Sequence, residues 1–456
     1  MKHDIIVLGA GPGGYVAAVR AAQLGFSTAV VEREALGGVC LNWGCIPTKA
    51  LLKSAQALHY ASRGAEFGFS CSAPEVDIAK VVERSREVAS QMSKGIEFLF
   101  RKNGVTVIPG TASIPSAGKV DVTSPDGTVS RHEAGRIILA TGSRPASLPF
   151  APSDGVKIWN YRHALVPERL PRSLAVIGSG AIGTELAFFY QSMGVQVTLM
   201  EYLDRIVPQE DDEVSAQLSR SLRKAGMKVM TSAAVRSIDT SGEGCVVSVD
   251  TKKGEETVAV ERVLSATGVR PNTEGLGLEQ LGVLMQKGRI VVDGSFKTSV
   301  DGIYAIGDLI PTPALAHVAS AEALRCVESI ASLNPEPVRY DFIPSCIYTS
   351  PEAASCGITE REAREKGLDC KIGKVPFTAS GRAAAAGMRD GFVKIVSDAS
   401  SGKVLGVHMV GDNVSEMIGA MVVACSKGMT ARELSSAVFP HPTMSEAIGE
   451  ACIAAL

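Results

Sequence analysis

The chain has 456 residues, enough for about three domains of ordinary size. At 45% hydrophobic and 21% charged, it can bury a large core without disulfides or metals. Its formal net charge of −2 gives no electrostatic claim on nucleic acid or an anionic membrane, so neither is expected as a partner. No apolar run approaches the ~18 residues that span a bilayer, and the stretch Ile5 to Leu8 is too short for a signal-peptide core. The reading is cytoplasmic.

In chain order, the first element is a β-branched run, Asp4-Ile-Ile-Val-Leu, which reads as a buried strand. It runs straight into G-x-G-x-x-G at Gly9, Gly11 and Gly14, with Gly13 inside the motif. A helical pattern over residues 14–24 follows, broken at Gly25, and a second strand from Ser27 ends in the acid Glu32. Strand, glycine turn, helix, strand and acid form the context a dinucleotide-binding fingerprint requires. The first glycine permits the tight turn, the second lets the backbone approach a pyrophosphate, and the third lets helix and strand pack closely. The acid accepts hydrogen bonds from a ribose diol.

Next stands Gly37-Gly-Val-Cys-Leu-Asn-Trp-Gly-Cys-Ile-Pro-Thr-Lys, with Cys40 and Cys45 five apart at the start of a helical pattern over 45–60. This is not a usual zinc spacing, no second ligand pair accompanies it, and no metal site is expected. A helix N-terminus raises the thiolate fraction of a cysteine. Two such thiols beside a nucleotide site suit reversible disulfide exchange. The other eight cysteines (Cys71, Cys245, Cys326, Cys346, Cys356, Cys370, Cys425 and Cys452) are scattered and read as small buried hydrophobes. A helical excursion is expected around 75–103. The strand Arg136 to Leu139 then leads into Ala140-Thr-Gly-Ser-Arg-Pro.

The pattern now repeats. Leu174-Ala-Val-Ile runs into Gly178, Gly180 and Gly183, a helix is expected over 182–193, and the strand from Gln196 ends in Glu201. The distance from first glycine to acid is 23 residues in both copies. A second Ala-Thr-Gly-x-Arg-Pro, residues 266–271, follows the strand Arg262 to Leu264. Then comes Tyr304-Ala-Ile-Gly-Asp308, where the aspartate also reads as a turn residue after a strand. Residues 341–456 differ in texture, with strands expected near 370–377, 391–397 and 404–411 and helices near 358–366 and 412–428. The run Ala383–Ala386 reads as a packed turn or helix start. The last motif is Phe439-Pro-His-Pro-Thr-Met-Ser-Glu446. His441 is the group best suited to moving protons near neutral pH. Glu446 has two readings, as the acid that orients His441 and as the partner of Thr443 in a capping box opening the last helix.

The run G-G-x-C-L-N-x-G-C-I-P-x-K resembles the signature of the flavin disulfide reductases, nearest to the dihydrolipoamide dehydrogenase family, and the likeness extends along the whole chain. It implies an α/β fold with two Rossmann-like nucleotide-binding domains plus a C-terminal α+β dimerisation domain. Residues 1–145 and 271–340 would bind FAD, 146–270 NAD, and 341–456 would form the interface domain. The resemblance implies that Cys45 faces the flavin and Cys40 exchanges with substrate. It also implies that Lys49 approaches the isoalloxazine and pairs with Glu185. Further FAD contacts are implied at Ala112, at Thr141, Gly142 and Ser143, at Asp308, and at Leu315, Ala316 and His317. Nicotinamide contacts are implied at Val235 and Gly268. Glu201 favours NAD, because a carboxylate there repels a 2′-phosphate; Arg205 alone does not change that. His441, oriented by Glu446, would serve the partner subunit of a homodimer. The expected reaction oxidises dihydrolipoyl groups carried by 2-oxoacid dehydrogenase or glycine cleavage systems. Phe439 departs from the family's His-x-His-Pro-Thr.

Overall fold

The computed structural model describes residues 2–70 and 74–456; Cys71 lies outside them. The chain divides into two compact units. Met1–Ala50, Lys80–Ala146 and Val269–Val338 form the first, and Leu51–Ala79, Ser147–Gly268 and Arg339–Leu456 the second.

The first unit is built on a seven-stranded sheet. Strand Lys2–Leu8 lies at its centre, parallel to Thr28–Glu32 on one side and to Val129–Leu139 on the other. Residues Ile5 to Leu8 are wholly buried, as a central strand covered on both faces requires. Helix Pro12–Gln23 begins with proline in its first turn, where the missing N–H costs nothing. It buries Gly13, Gly14, Ala17, Ala18 and Ala21, a small-residue face that packs against helix Ala316–Ile330. The strand expected over 136–139 is longer, Val129–Leu139. Its first half pairs antiparallel with Lys119–Thr123, and its last residues run parallel to Ile303–Ala305. That first half alternates exposed and buried residues, so it lacks the continuous apolar run that marks its end. The excursion is one helix, Ile78–Asn103.

In the second unit the repeat forms a five-stranded parallel sheet in the order Lys228–Met230, Gln196–Met200, Ser173–Ile177, Arg262–Ser265 and Ile158–Trp159. Helix Ala181–Ser192 lies between strands Ser173–Ile177 and Gln196–Met200. The C-terminal part is a five-stranded antiparallel sheet. Its three long strands, Cys370–Pro376, Phe392–Asp398 and Val404–Gly411, stand where the sequence placed them, joined by Ser345–Ile347 and Glu352–Gly357. Helices Val414–Ser426 and Glu446–Ala454 pack on it. The alanine run ends a short helix, Gly381–Ala386, capped by Ser380 and closed by Gly387 at φ +67°.

Candidate active site

The two glycine turns are the same object built twice. Gly9 sits at φ +101°, and a Cβ there would lie 2.4 Å from the Ala140 carbonyl oxygen; Gly178 sits at φ +97°, 2.5 Å from that of Ala266. A Cβ on Gly14 would meet Gly9 O at 1.9 Å, and one on Gly183 would meet Gly178 O at 2.0 Å. These glycines are structural requirements of the turn. Gly11 and Gly180 differ from them: each caps its helix without a side-chain cap, and a Cβ on either would meet nothing within 4 Å. Open approach to a helix N-terminus is what a pyrophosphate needs, so both cradles fit a dinucleotide. Gly13 is tighter, its added Cβ falling 3.2 Å from Ile306 Cδ1.

Both acids stand over these turns. Glu32 accepts the N–H groups of Ala10 and Glu34, each at 2.8 Å. Glu201 accepts those of Ser179 and Leu203, each at 2.9 Å, and the Ser179 hydroxyl at 2.7 Å. Arg205 is occupied by Asp204 and Asp212 at 3.4 Å each.

The cysteines lie against the first turn. Gly37 donates its N–H to the Ala10 carbonyl at 2.9 Å. A Cβ on Gly38, at φ +57°, would fall 2.7 Å from Gly11 Cα. The short helix Gly38–Trp43 carries Cys40, and helix Cys45–Ser62 starts on Cys45 itself. The two thiols are in hydrogen-bonding contact, and Cys40 is pushed well above the usual thiol range, first by that bond and then by burial. The charge of Lys49, one turn beyond Cys45 on the same helix, pulls Cys40 the other way. The long helix Ile78–Asn103 fixes this loop from behind. Ser93 donates to Leu36 O at 2.8 Å, Arg86 to Asn42 O at 2.6 Å, Ser85 to Pro47 O at 3.1 Å and Arg84 to Ala50 O at 2.8 Å. Asn42 closes the loop on itself through Leu36 O and Gly38 O, both at 3.0 Å. Sequence reasoning missed these clamps, because a serine or arginine on an amphipathic helix carries no motif.

The Ala-Thr-Gly segments also hold a surprise. Each meets the glycine turn of its own repeat, Ala140 against Gly9 and Ala266 against Gly178. The residues that follow also pair with one another, Ser143–Pro145 running antiparallel to Val269–Pro271. Thr141 and Asn272 exchange hydrogen bonds at 2.7 and 2.9 Å. The Arg144 guanidinium forks onto Glu274 at 2.6 and 2.8 Å. Gly142 is left-handed at φ +67° and Gly268 at φ +113°. Ser143 donates to Asp308 Oδ2 at 2.5 Å. Asp308 follows strand Ile303–Ala305 in a single tight turn. Leu315 caps helix Ala316–Ile330 through its backbone alone, with His317 in the first turn. Ala112 is buried in the meander strand Thr111–Ser116. Sites expected around FAD therefore gather in the first unit.

In the second unit, Glu185 is buried on helix Ala181–Ser192 and accepts the Tyr348 N–H at 3.1 Å. Val235 marks a register shift in strand Ala234–Asp239. His441 Nδ1 lies 2.8 Å from Glu446 Oε1, while Glu446 Oε2 accepts the Thr443 N–H at 2.8 Å. The two readings of Glu446 are thus compatible, one oxygen for each. The capping box is only half formed, since the Thr443 hydroxyl donates to Pro440 O at 2.7 Å. The Thr443 amide, and then the histidine, hold Glu446 below the usual carboxylate range. With Nδ1 engaged and 79% of its side chain exposed, His441 presents Nε2 for proton transfer. Phe439 is spent on packing: a Cβ on Gly449 of the last helix would fall 2.9 Å from its ring.

Residues 3–323 match the pyridine nucleotide-disulphide oxidoreductase family, and residues 343–452 match its dimerisation domain. The chain belongs to that family. Members are flavoprotein oxidoreductases that work with FAD and a pyridine nucleotide. A dihydrolipoyl dehydrogenase of Rhizobium etli is 45% identical, covering 99% of this chain and 98% of the relative. That of Bacillus subtilis is 42% identical over 100% and 98%, and a mitochondrial one of Pisum sativum 41% over 99% and 91%. Among solved structures, LpdA of Mycobacterium tuberculosis superposes with a TM-score of 0.92 at 30% identity, covering 99% of both chains. RclA of Escherichia coli, a flavoprotein disulfide reductase, gives 0.88 at 25% identity, also over 99% of both. Among the described residues no helix is long and apolar enough to cross a membrane.

Proposed function

We propose that this chain oxidises protein-bound dihydrolipoyl groups to the lipoyl disulfide and reduces NAD⁺, working in the cytoplasm as a homodimer through residues 341–456. The observation that carries this reading is the Cys40–Cys45 pair, two thiols in contact at a helix start, packed onto the first dinucleotide turn. A thiolate is the nucleophile in disulfide exchange. His441 of the partner subunit takes the substrate's proton on Nε2, with Glu446 steadying the cation. The substrate sulfur attacks Cys40 in the Cys40–Cys45 disulfide and releases the Cys45 thiolate. The second substrate sulfur then displaces Cys40, leaving a lipoyl disulfide and a reduced cysteine pair. Bound FAD supplies the two-electron relay from that pair to NAD⁺.

In this reading residues 1–145 and 271–340 hold FAD, through Gly9, Gly11, Gly13 and Gly14, Glu32, Ala112, the 141–143 turn, Asp308 and the 315–317 helix start. Residues 146–270 hold NAD through Gly178, Gly180, Gly183, Glu201, Val235 and Gly268. Lys49, one helical turn beyond Cys45, approaches the flavin. The similarity to the named dihydrolipoyl dehydrogenases supports the lipoyl substrate. The test is a steady-state assay of the purified chain with dihydrolipoamide and other thiols, against NAD⁺ and NADP⁺. Cys45→Ser should retain FAD and its yellow colour and lose dihydrolipoamide turnover at least a thousandfold. Undiminished turnover in that variant would end the dithiol mechanism.

A further inference from the structure

The two copies differ beside the ribose-binding acid. The residue between the first two glycines is Ala10 in one turn and Ser179 in the other. A carboxylate offers about four acceptor positions, two on each oxygen. Among the described residues, Glu32 receives one donor on each oxygen, Ala10 N–H on Oε2 and Glu34 N–H on Oε1. One position stays open on each, a pair matched to the two hydroxyls of a ribose. Glu201 receives one donor on Oε1, from Leu203, but two on Oε2, the Ser179 N–H and hydroxyl. Its Oε2 is filled, and only Oε1 keeps an open position.

The hydroxyl is held to this task. Ser179 is wholly buried, and its Oγ accepts the Val207 N–H at 3.2 Å, which turns its own proton toward Glu201. Val207 itself sits at φ +40° and is 3% exposed. A β-branched residue in the left-handed region is strained, and such strain persists only where the surroundings enforce it. The loop after Glu201 is therefore folded back onto this one serine.

We propose that the Ser179 hydroxyl sets how loosely the second copy grips its dinucleotide. By filling an acceptor position that the first copy leaves for ribose, it converts a two-point clamp into a one-point clamp. The nicotinamide dinucleotide then exchanges at each turnover, while the flavin dinucleotide, held over Ala10, stays. This rests on the assignment of FAD to the first copy and NAD to the second.

Ser179→Ala gives the second turn the chemistry of the first. Both amides on Glu201 remain, and the Val207 N–H keeps the Ser179 carbonyl at 3.1 Å. In the FAD-loaded full chain, NADH dissociation constants are read by equilibrium titration, with KM and kcat for NAD⁺ measured alongside. The variant should bind NADH about threefold to tenfold more tightly, as one hydrogen bond is worth, with KM falling and kcat not rising. Unchanged or weaker binding overturns the proposal, since the hydroxyl would then only steady the carboxylate. The reverse change, Ala10→Ser, should speed FAD loss on dilution several-fold; an unaltered rate also counts against it. An unmutated chain that takes up FAD but binds no NADH would instead overturn the assignment beneath the proposal.

Discussion

The two dinucleotide cradles share the surroundings of their three motif glycines, yet the chain that leaves each acid goes to a different place. After Glu32 it runs to Gly37 and Gly38, which lie against Ala10 and Gly11, and then delivers Cys40 and Cys45. After Glu201 it folds Val207 onto Ser179 and runs to Glu210 and Asp211. There Lys394, 1% exposed, lies 3.0 Å from Asp211, 2.9 Å from Glu213 and 2.7 Å from Glu360. Burial alone would raise Asp211 and Glu213, but the neighbouring positive charges outweigh it and hold both below their usual range. One copy thus spends its loop on reactive sulfur, and the other on an electrostatic anchor to strand Phe392–Asp398. A duplicated cradle supplies binding, and the segment after the acid supplies the task.

The largest expected effect lies at that anchor. Lys394→Met would leave the buried Asp211 carboxylate without its cation, costing about 3–5 kcal/mol. Chemical denaturation should show the loss in the second unit while flavin absorbance persists. A simultaneous loss of FAD would deny the two units independent stability. Next comes the third glycine of each turn. Gly183→Ala forces helix Ala181–Ser192 off its strand at about 1–3 kcal/mol, and should weaken NADH at least tenfold with FAD retained. Gly14→Ala should do the reverse. If either change harmed both cofactors equally, the copies would not act as separate cradles. A smaller effect is expected behind the dithiol. Ser93→Ala removes the hydroxyl that holds Leu36, about 0.5–1.5 kcal/mol, and should raise the rate of Cys40 alkylation without changing NADH affinity. The smallest concerns the exposed His441–Glu446 pair. The folded Glu446 value is depressed, so its contribution is fully present above roughly pH 4.5 and fades as pH falls through the lower folded value. Glu446→Gln should flatten only a slice of the acid-side fall in Tm.

Much of this was legible in the residues. Glycine spacing and matched acids located both cradles, because a tight turn against a carbonyl tolerates no Cβ and so writes itself as glycine. The cysteine motif and the His441–Glu446 pair were equally visible. What stayed hidden was relational. Nothing in Ser143-Arg-Pro and Val269-Arg-Pro announces that they pair with each other. The grip of Ser85, Arg86 and Ser93 on the redox loop depends on backbone carbonyls, which every residue owns. Lys394 reads as a surface charge until three acids from two other segments surround it.

The pairing of residues 143–145 with 269–271 brings together the two ends of the insertion formed by residues 147–268. The Arg144–Glu274 fork and the Thr141–Asn272 exchange seal those two ends into one clasp within the first unit. An insertion whose ends are clasped together can be lengthened, trimmed or replaced by another cassette without moving a strand of the sheet it leaves. On the proposed assignment of NAD to the second copy, the clasp makes the nicotinamide-binding segment an exchangeable part in evolution, while the sheet beside the cysteine loop stays put.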